Sequence, residues 1–394
     1  MGGAGFEAGT GAGFLVCFTE PEESTGFFAA FVPCAMEGMM LNAMRPANAE
    51  AAAPAKYTAF HCRPWRVSIG LVSLFILIVS FSTAAPFQST LQRFEFVEYH
   101  MGIDARMVVY ASDKSTAERA CAAAYSRIAQ LEDVMSDYRP SSELMRLCAS
   151  AHARPIKVSR DLFQVLRRSL QVSRESGGAF DVTVGPLVAL WRSARKTGRL
   201  PERAEIETAL QRTGWQKIVL DDRNRTVRLL SEGMRLDLGG IGKGYAADCA
   251  QQELKRNGVV SALVQLGGDI VVSAPPPGKD GWSVRVLNAG GDGRHQQMAL
   301  KNCAISTSGD TEQFVVIEGK RYSHIVDPRT GWALTNRVQV SLIAPNGFTS
   351  DPLTKALCIL SGAEGDRLLS RYKDVQAFRR VLHLEQETTP PPPI

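Results

Sequence analysis

Between Leu236 and Asp248 the chain reads Leu236-Asp237-Leu238-Gly239-Gly240-Ile241-Gly242-Lys243-Gly244-Tyr245-Ala246-Ala247-Asp248, and its four glycines lead directly into a helix-forming stretch. Such a turn gathers backbone N–H groups and a helix N-terminus in one place. They can face an anion there, and Lys243 adds a full positive charge. The stretch is not a Walker A loop, because Tyr245 stands where that pattern needs its spaced Gly-Lys-Ser/Thr. Nor does a clean Gly-x-Gly-x-x-Gly follow a strand. Taken alone, it reads equally well as a glycine-rich turn from strand to helix.

Four other segments carry chemistry-bearing residues. Leu266-Gly267-Gly268-Asp269-Ile270 lies between apparent strands and reads as a tight turn before it reads as a site. Ser306-Thr307-Ser308-Gly309-Asp310 precedes Tyr322-Ser323-His324-Ile325-Val326-Asp327-Pro328-Arg329-Thr330-Gly331, where Asp327 follows His324 by three residues. Histidine with a carboxylate orienter suits general-base activation of a hydroxyl. Asp327 to Gly331 is also a plain turn sequence, and His324 can equally be a satisfied core histidine. In Ser350-Asp351-Pro352-Leu353-Thr354-Lys355, Asp351 is either the N-cap of a helix or an oxygen ligand for a hard cation, Mg²⁺ using one or two carboxylates plus phosphate oxygens. Met135-Ser136-Asp137-Tyr138 and Gly178-Ala179-Phe180-Asp181 are not diagnostic by themselves. Phe180 and Trp191 read as core.

The pattern of elements predicts an α+β fold, antiparallel sheets with packed helices, since blocks of strands are separated by single helices. Alternation around Gly102 predicts a hairpin over Phe94 to Ala111. Helices are expected over Ser115 to Met135, from an N-cap at Ser159 to Glu175 with Gly177-Gly178 ending it, and over Gly242 to Arg256. A second hairpin is expected around Asp221 to Arg225. Strand-like runs fill Ala262 to Ala344. Helices are then predicted over Ser350 to Leu360 and Leu368 to Leu384.

The N-terminal part differs. Residues 1–60 are rich in Gly, Ala and Met without amphipathic period and predict little packed structure. Residues 61–85 contain Arg63, Arg66 and an apolar run from Val67 to Phe81 that closes on Ser82-Thr83-Ala84-Ala85. A basic flank, an apolar core of about 15 residues and small residues at its end predict a secretory signal cleaved after Ala84. The run is short for a membrane-spanning helix. An uncleaved anchor and a buried core helix are the alternatives, and initiation at Met36, Met39, Met40 or Met44 would shorten the unusual leader. Residues 386–394 form a proline-rich tail expected to be disordered. Of eight cysteines, the five beyond residue 85 are widely spaced and include no CxxC pair, which fits isolated core residues and neither a disulfide framework nor a zinc site. The net charge of +5 arises from cations scattered among acids, which argues against a nucleic-acid surface.

In order and spacing, the five segments resemble the ApbE family of FAD:protein FMN transferases over about residues 95–375. The resemblance implies an ApbE-like flavin transferase domain over 90–385. Met135, Ala179, Phe180, Asp181, Asp237, Lys243 and Ile325 match positions that hold FAD. The Gly240 carbonyl and Asp351 match ligands of Mg²⁺, and His324 matches the proposed base. Lys355 departs from the threonine that the family usually places at its metal-binding position. Thr354 is one residue, about 100°, away around the helix and cannot simply replace it. The implied reaction moves FMN from FAD to a Thr or Ser hydroxyl of an acceptor flavoprotein, an electron-transfer subunit in the implied setting, and expels AMP. An FAD pyrophosphatase and a non-catalytic flavin-binding protein are the rival functions. The expected location is the periplasm, with possible attachment to the inner membrane through the apolar segment.

Overall fold

The computed structural model describes residues 90–287, 295–309 and 314–382. The expectations for residues 1–85 and 386–394, and the placement of Asp310, lie outside the described residues.

Strands β1 (Gln92–His100) and β2 (Ile103–Ala111) form the expected hairpin, turning at Met101 and Gly102 with positive φ. Helix α1 (Lys114–Met135) is capped by the Asp113 carboxylate, which accepts from Thr116 N. After α2 (Glu143–Ser150) and the short β3 (Ile156–Lys157) comes α3 (Arg160–Glu175). Its N-cap is Ser159, and Gly177 and Gly178, both at positive φ, follow its end as the sequence requires. Helices α4 (Gly185–Thr197) and α5 (Arg203–Gln211) follow, then the hairpin β4 (Ile218–Asp221) and β5 (Thr226–Leu229), then α6 (Gly242–Arg256).

The remaining strands are β6 (Ser261–Leu266), β7 (Asp269–Val272), β8 (Trp282–Leu287), β9 (His295–Leu300), β10 (Cys303–Gly309), β11 (Phe314–Ile317), β12 (Lys320–Ser323) and β13 (Arg337–Ala344). The chain then forms α7 (Gly347–Ile359), α8 (Gly362–Leu369) and β14 (Gln376–Leu382). Seven strands build one antiparallel sheet in the order β1-β2-β6-β7-β10-β13-β14.

Strand period sorts this sheet's faces. Met107 and Val109 on β2, with Ala262 and Val264 on β6, join the main core under α1, α6 and α7. Val108 and Leu263 point the other way, into a second core covered by Trp282, Val284 and Val286 of β8. A third core joins Leu187 and Trp191 of α4 to Ile317 and Tyr322 of the β11–β12 hairpin. Trp191 is a core residue, as expected, and its Nε1 donates to Gly331 O at 2.9 Å. The five described cysteines are all free.

Two helix predictions are corrected. Leu368 to Leu384 is not a helix: α8 ends at Leu369, and Gln376–Leu382 is the edge strand paired antiparallel with β13. Sheet pairing overrides the local pattern there, placing Phe378 in the second core while Ala377 and Val381 pack on the main core. Helix α7 begins at Gly347 rather than Ser350, so Asp351 lies inside the helix and is not its N-cap. The capping carboxylate comes from α6: Asp248 accepts from Gly347 N and Phe348 N, each at 2.8 Å.

Burial pushes the Asp248 carboxyl up to about 6, against the opposing pull of those two N–H bonds. A folded-state value raised above the ordinary 3.8 means that the native state binds the proton more tightly. Its contribution is therefore fully present below about pH 4 and is lost as pH rises through 6, by on the order of 3 kcal/mol. Urea melts of wild type and Asp248→Asn should diverge by about that amount between pH 4 and pH 7. Parallel stability curves over that interval would sink this assignment.

Candidate active site

The glycine-rich stretch is folded by its own side chains. Asp237 Oδ1 accepts from Gly239 N at 2.8 Å, and Gly242 N donates to Leu238 O at 2.8 Å, which closes the turn into α6. Lys243 reaches back from the first turn of α6, its Nζ donating to Gly239 O at 3.0 Å and pairing with Asp269 Oδ2 at 3.4 Å.

Helix α7 crosses α6 at this end in backbone contact. A Cβ on Gly244 would run into the carbonyl oxygen of Gly347 and come within 2.8 Å of Asp351 Cβ. A Cβ on Gly347 would stand 2.5 Å from Gly244 O. That approach lets Gly244 N donate to Asp351 Oδ2 at 3.1 Å, so the anion held at the α6 N-terminus is the fully buried Asp351 carboxylate.

Lys355, one turn along α7, donates to Asp351 Oδ1 at 3.3 Å and to Ser308 Oγ. Its stem lies against the turn, with Cγ 3.1 Å from where a Cβ on Gly240 would sit. Phe180 Cε2 stands 3.3 Å from the same point, and Met135 Sδ 3.7 Å from the equivalent point on Gly242. Met135, Phe180, Gly240, Lys243, Asp351 and Lys355 are thus brought together around the start of α6. Thr354 faces the sheet instead, bonded to Ser308 Oγ and Asp351 O at 2.7 Å each. This is the outcome its 100° rotation requires.

Other expected site residues have different surroundings. Asp237 Oδ2 receives Arg192 Nη2 at 3.4 Å, and Arg192 Nη1 donates to Asp137 at 2.7 Å. Burial, then the nearby Asp137, raises the Asp237 carboxyl. A cavity of about 430 Å³ opens here, lined by Asp137, Tyr138, Arg192, Lys196 and Arg235. Its lining includes neither Lys243 nor Asp351. Asp181 accepts from Thr183 N and Oγ1 and from Trp215 N, so its carboxylate serves the local fold. Ala179 and Ile325 are buried in the main core.

His324 is half-buried and follows β12 directly, on the element that packs against α4 and α5. The carboxylate three residues on, Asp327, is engaged by Arg329. It accepts from Arg329 N, Nε and Nη2 at 2.8–3.2 Å, holding the turn by which the loop folds back.

Sequence reasoning missed the roles of Asp248 and Asp269. Asp269 is buried, and its Oδ1 has no hydrogen-bond partner among the described residues. Burial, then Asp351, raises its carboxyl. A Gly-Gly-Asp turn between two apolar strands carries that signal only once the strand register sets Asp269 opposite Ser306.

The residues implied for a divalent ion do not fit one. Both Asp351 oxygens are engaged, one by an ammonium where the resemblance implies a metal-binding hydroxyl. Lys243 and Lys355 already balance the charges of Asp269 and Asp351. Among the described residues no group of three or more His, Cys, Asp and Glu side chains is placed to hold a metal.

A family model described as the ApbE family matches residues 101–379, which span every site residue named above. The chain belongs to the ApbE family. It is similar to the FAD:protein FMN transferase of Klebsiella pneumoniae (strain 342), 30% identical over 281 residues that cover 71% of this chain and 86% of that one. The FAD:protein FMN transferase of Treponema pallidum (strain Nichols) is 31% identical over 335 residues, covering 80% of this chain and 91% of the relative. Among solved structures, the flavinyl transferase ApbE of Pseudomonas stutzeri superposes with a TM-score of 0.65 at 26% identity, covering 73% of this ApbE chain and 90% of that one. The α+β expectation agrees with that likeness.

Proposed function

We propose that this ApbE protein is an FAD:protein FMN transferase that moves FMN from FAD to a Thr or Ser hydroxyl of an acceptor flavoprotein. The observation that carries the reading is the family match across residues 101–379, with relatives that share the activity's name.

The chemistry follows from the chain's own residues. Lys243, at the glycine turn, sets positive charge against the pyrophosphate. Met135, Phe180 and Asp237 border the turn and hold the dinucleotide. His324 takes the proton of the acceptor hydroxyl, whose oxygen attacks the FMN phosphorus. The bond from that phosphorus to the bridging oxygen breaks, and AMP leaves with the electron pair. Mg²⁺, which the family resemblance implies, is not part of this proposal, because Asp351 is bound by Lys355. The acceptor is an electron-transfer subunit outside the cytoplasm, and residues 61–85 direct the enzyme there. The support for that location is the basic flank and apolar run alone.

Incubating the purified protein with FAD and a peptide carrying a flavinylation-type threonine tests the reaction. Flavin on the peptide by mass, with stoichiometric AMP, is expected. AMP and free FMN with no labelled peptide would instead establish a pyrophosphatase. Bound FAD that stays intact would sink both.

A further inference from the structure

We propose that the Lys355 ammonium is a built-in counter-cation for the FAD pyrophosphate and takes the place of a divalent metal in this chain. The inference rests on the flavin reading above. It goes beyond that reading by assigning the cation.

Lys355 occupies the cation position through its contacts with Asp351, Ser308 and the glycine turn. Its Nζ lies 3.3 Å from Asp351 Oδ1 and donates to Ser308 Oγ, and its stem runs against Gly240. An ammonium has three N–H donors, so one remains for a phosphate oxygen. Its side chain is 22% exposed while Asp351 has no exposed surface, so the charge is reachable from solvent only on the lysine side. Gly239 and Gly240, adjacent in the turn, are thus each touched by a lysine, Gly239 by Lys243 and Gly240 by Lys355.

Charge counting makes the consequence specific. Two ammoniums pair with the buried Asp269 and Asp351 while the α7 N–H groups hold Asp248, so Lys355 offsets charge that would otherwise repel a pyrophosphate. Removing the Lys355 charge leaves Asp351 and Asp269 with only Lys243 between them. Such a site repels pyrophosphate until a divalent cation enters, and Asp351 is then free to bind one. Lysine and metal are therefore mutually exclusive at Asp351.

The test uses the full chain, with Lys355→Thr supplying a hydroxyl and Lys355→Met keeping the packed stem without charge. Mn²⁺ uptake followed by electron paramagnetic resonance in the absence of flavin reads ion exclusion. Wild type should take up Mn²⁺ at least tenfold more weakly than either variant. FAD binding by fluorescence should be unchanged within twofold in wild type between EDTA and millimolar Mg²⁺. Both variants should lose at least tenfold in EDTA, and Lys355→Thr should recover on adding Mg²⁺. Thermal melts confirm that the variants are folded.

Wild-type Mn²⁺ binding as tight as in Lys355→Thr, or a tenfold gain in wild-type FAD affinity on adding Mg²⁺, would overturn the proposal. So would metal-free FAD binding by Lys355→Met equal to wild type. Failure of every protein to bind FAD, with Mn²⁺ still excluded by wild type alone, would sink the flavin reading and leave the exclusion of metal by Lys355 standing.

Discussion

Gly244→Ala should cost on the order of 3 kcal/mol of stability and abolish flavin binding at room temperature. The new methyl has nowhere to go. It would run into the Gly347 carbonyl oxygen, which is helix backbone, and into Asp351 Cβ, which is fixed directly to that backbone and is not a flexible side-chain tip. Relief requires α7 to move away from α6. That motion breaks the Gly244 N–Asp351 Oδ2 bond and the two N–H bonds by which Asp248 caps α7. Each buried group left unpaired adds to the cost. Chemical denaturation and FAD fluorescence titration of the variant check both parts. Gly198→Ala, at the α4 C-cap where a Cβ meets nothing within 4 Å, is the control for ordinary loss of a positive-φ glycine and should cost about 1 kcal/mol. Equal losses for the two variants would remove the close helix crossing as the cause.

His324→Ala should slow FMN transfer by about 10²–10⁴-fold while FAD affinity stays within a few-fold of wild type. The separation is expected because His324 follows β12, on an element stabilised by its own contacts. Asp327 and Arg329 lock the turn, and Trp191 Nε1 anchors Gly331 O from α4. Removing an imidazole from that loop leaves Lys243, Phe180 and the glycine turn in place. Single-turnover transfer to an acceptor peptide and equilibrium FAD titration measure the two quantities. A transfer rate within tenfold of wild type would end the assignment of His324 as the base.

Much of the fold was legible because its signals are local. The hairpin over 92–111, α3 from the Ser159 cap to the Gly177-Gly178 stop, and α6 from Gly242 to Arg256 each advertise themselves through period, cap and turn residues. The stretch after α8 did not. Leu368, Leu369, Tyr372 and Val375 sit at helical spacing, and the arginines at 379 and 380 hide the alternation of the strand that follows. Only the free edge of β13 turns Gln376–Leu382 into β14.

The candidate site divides in the same way. Asp237, Gly240 and Lys243 stand out in one stretch of sequence, and the resemblance to the ApbE family picks out Asp351, Lys355 and His324 by order and spacing. Which charge meets which was decided elsewhere. Lys243 meets Asp269 because β7 carries Asp269 to the end of the sheet beside α6, and Asp351 meets Gly244 because two glycines let α6 and α7 touch. The sequence by itself determined the elements with strong periods and caps, the glycine turn and the family resemblance. Tertiary structure alone decided that Asp248 caps a helix about a hundred residues away, that Asp327 serves Arg329, and that Lys355 lies on Asp351. Periodicity and capping act within a few residues of chain, whereas these pairings depend on strand register and helix approach, which exist only once the sheet has formed.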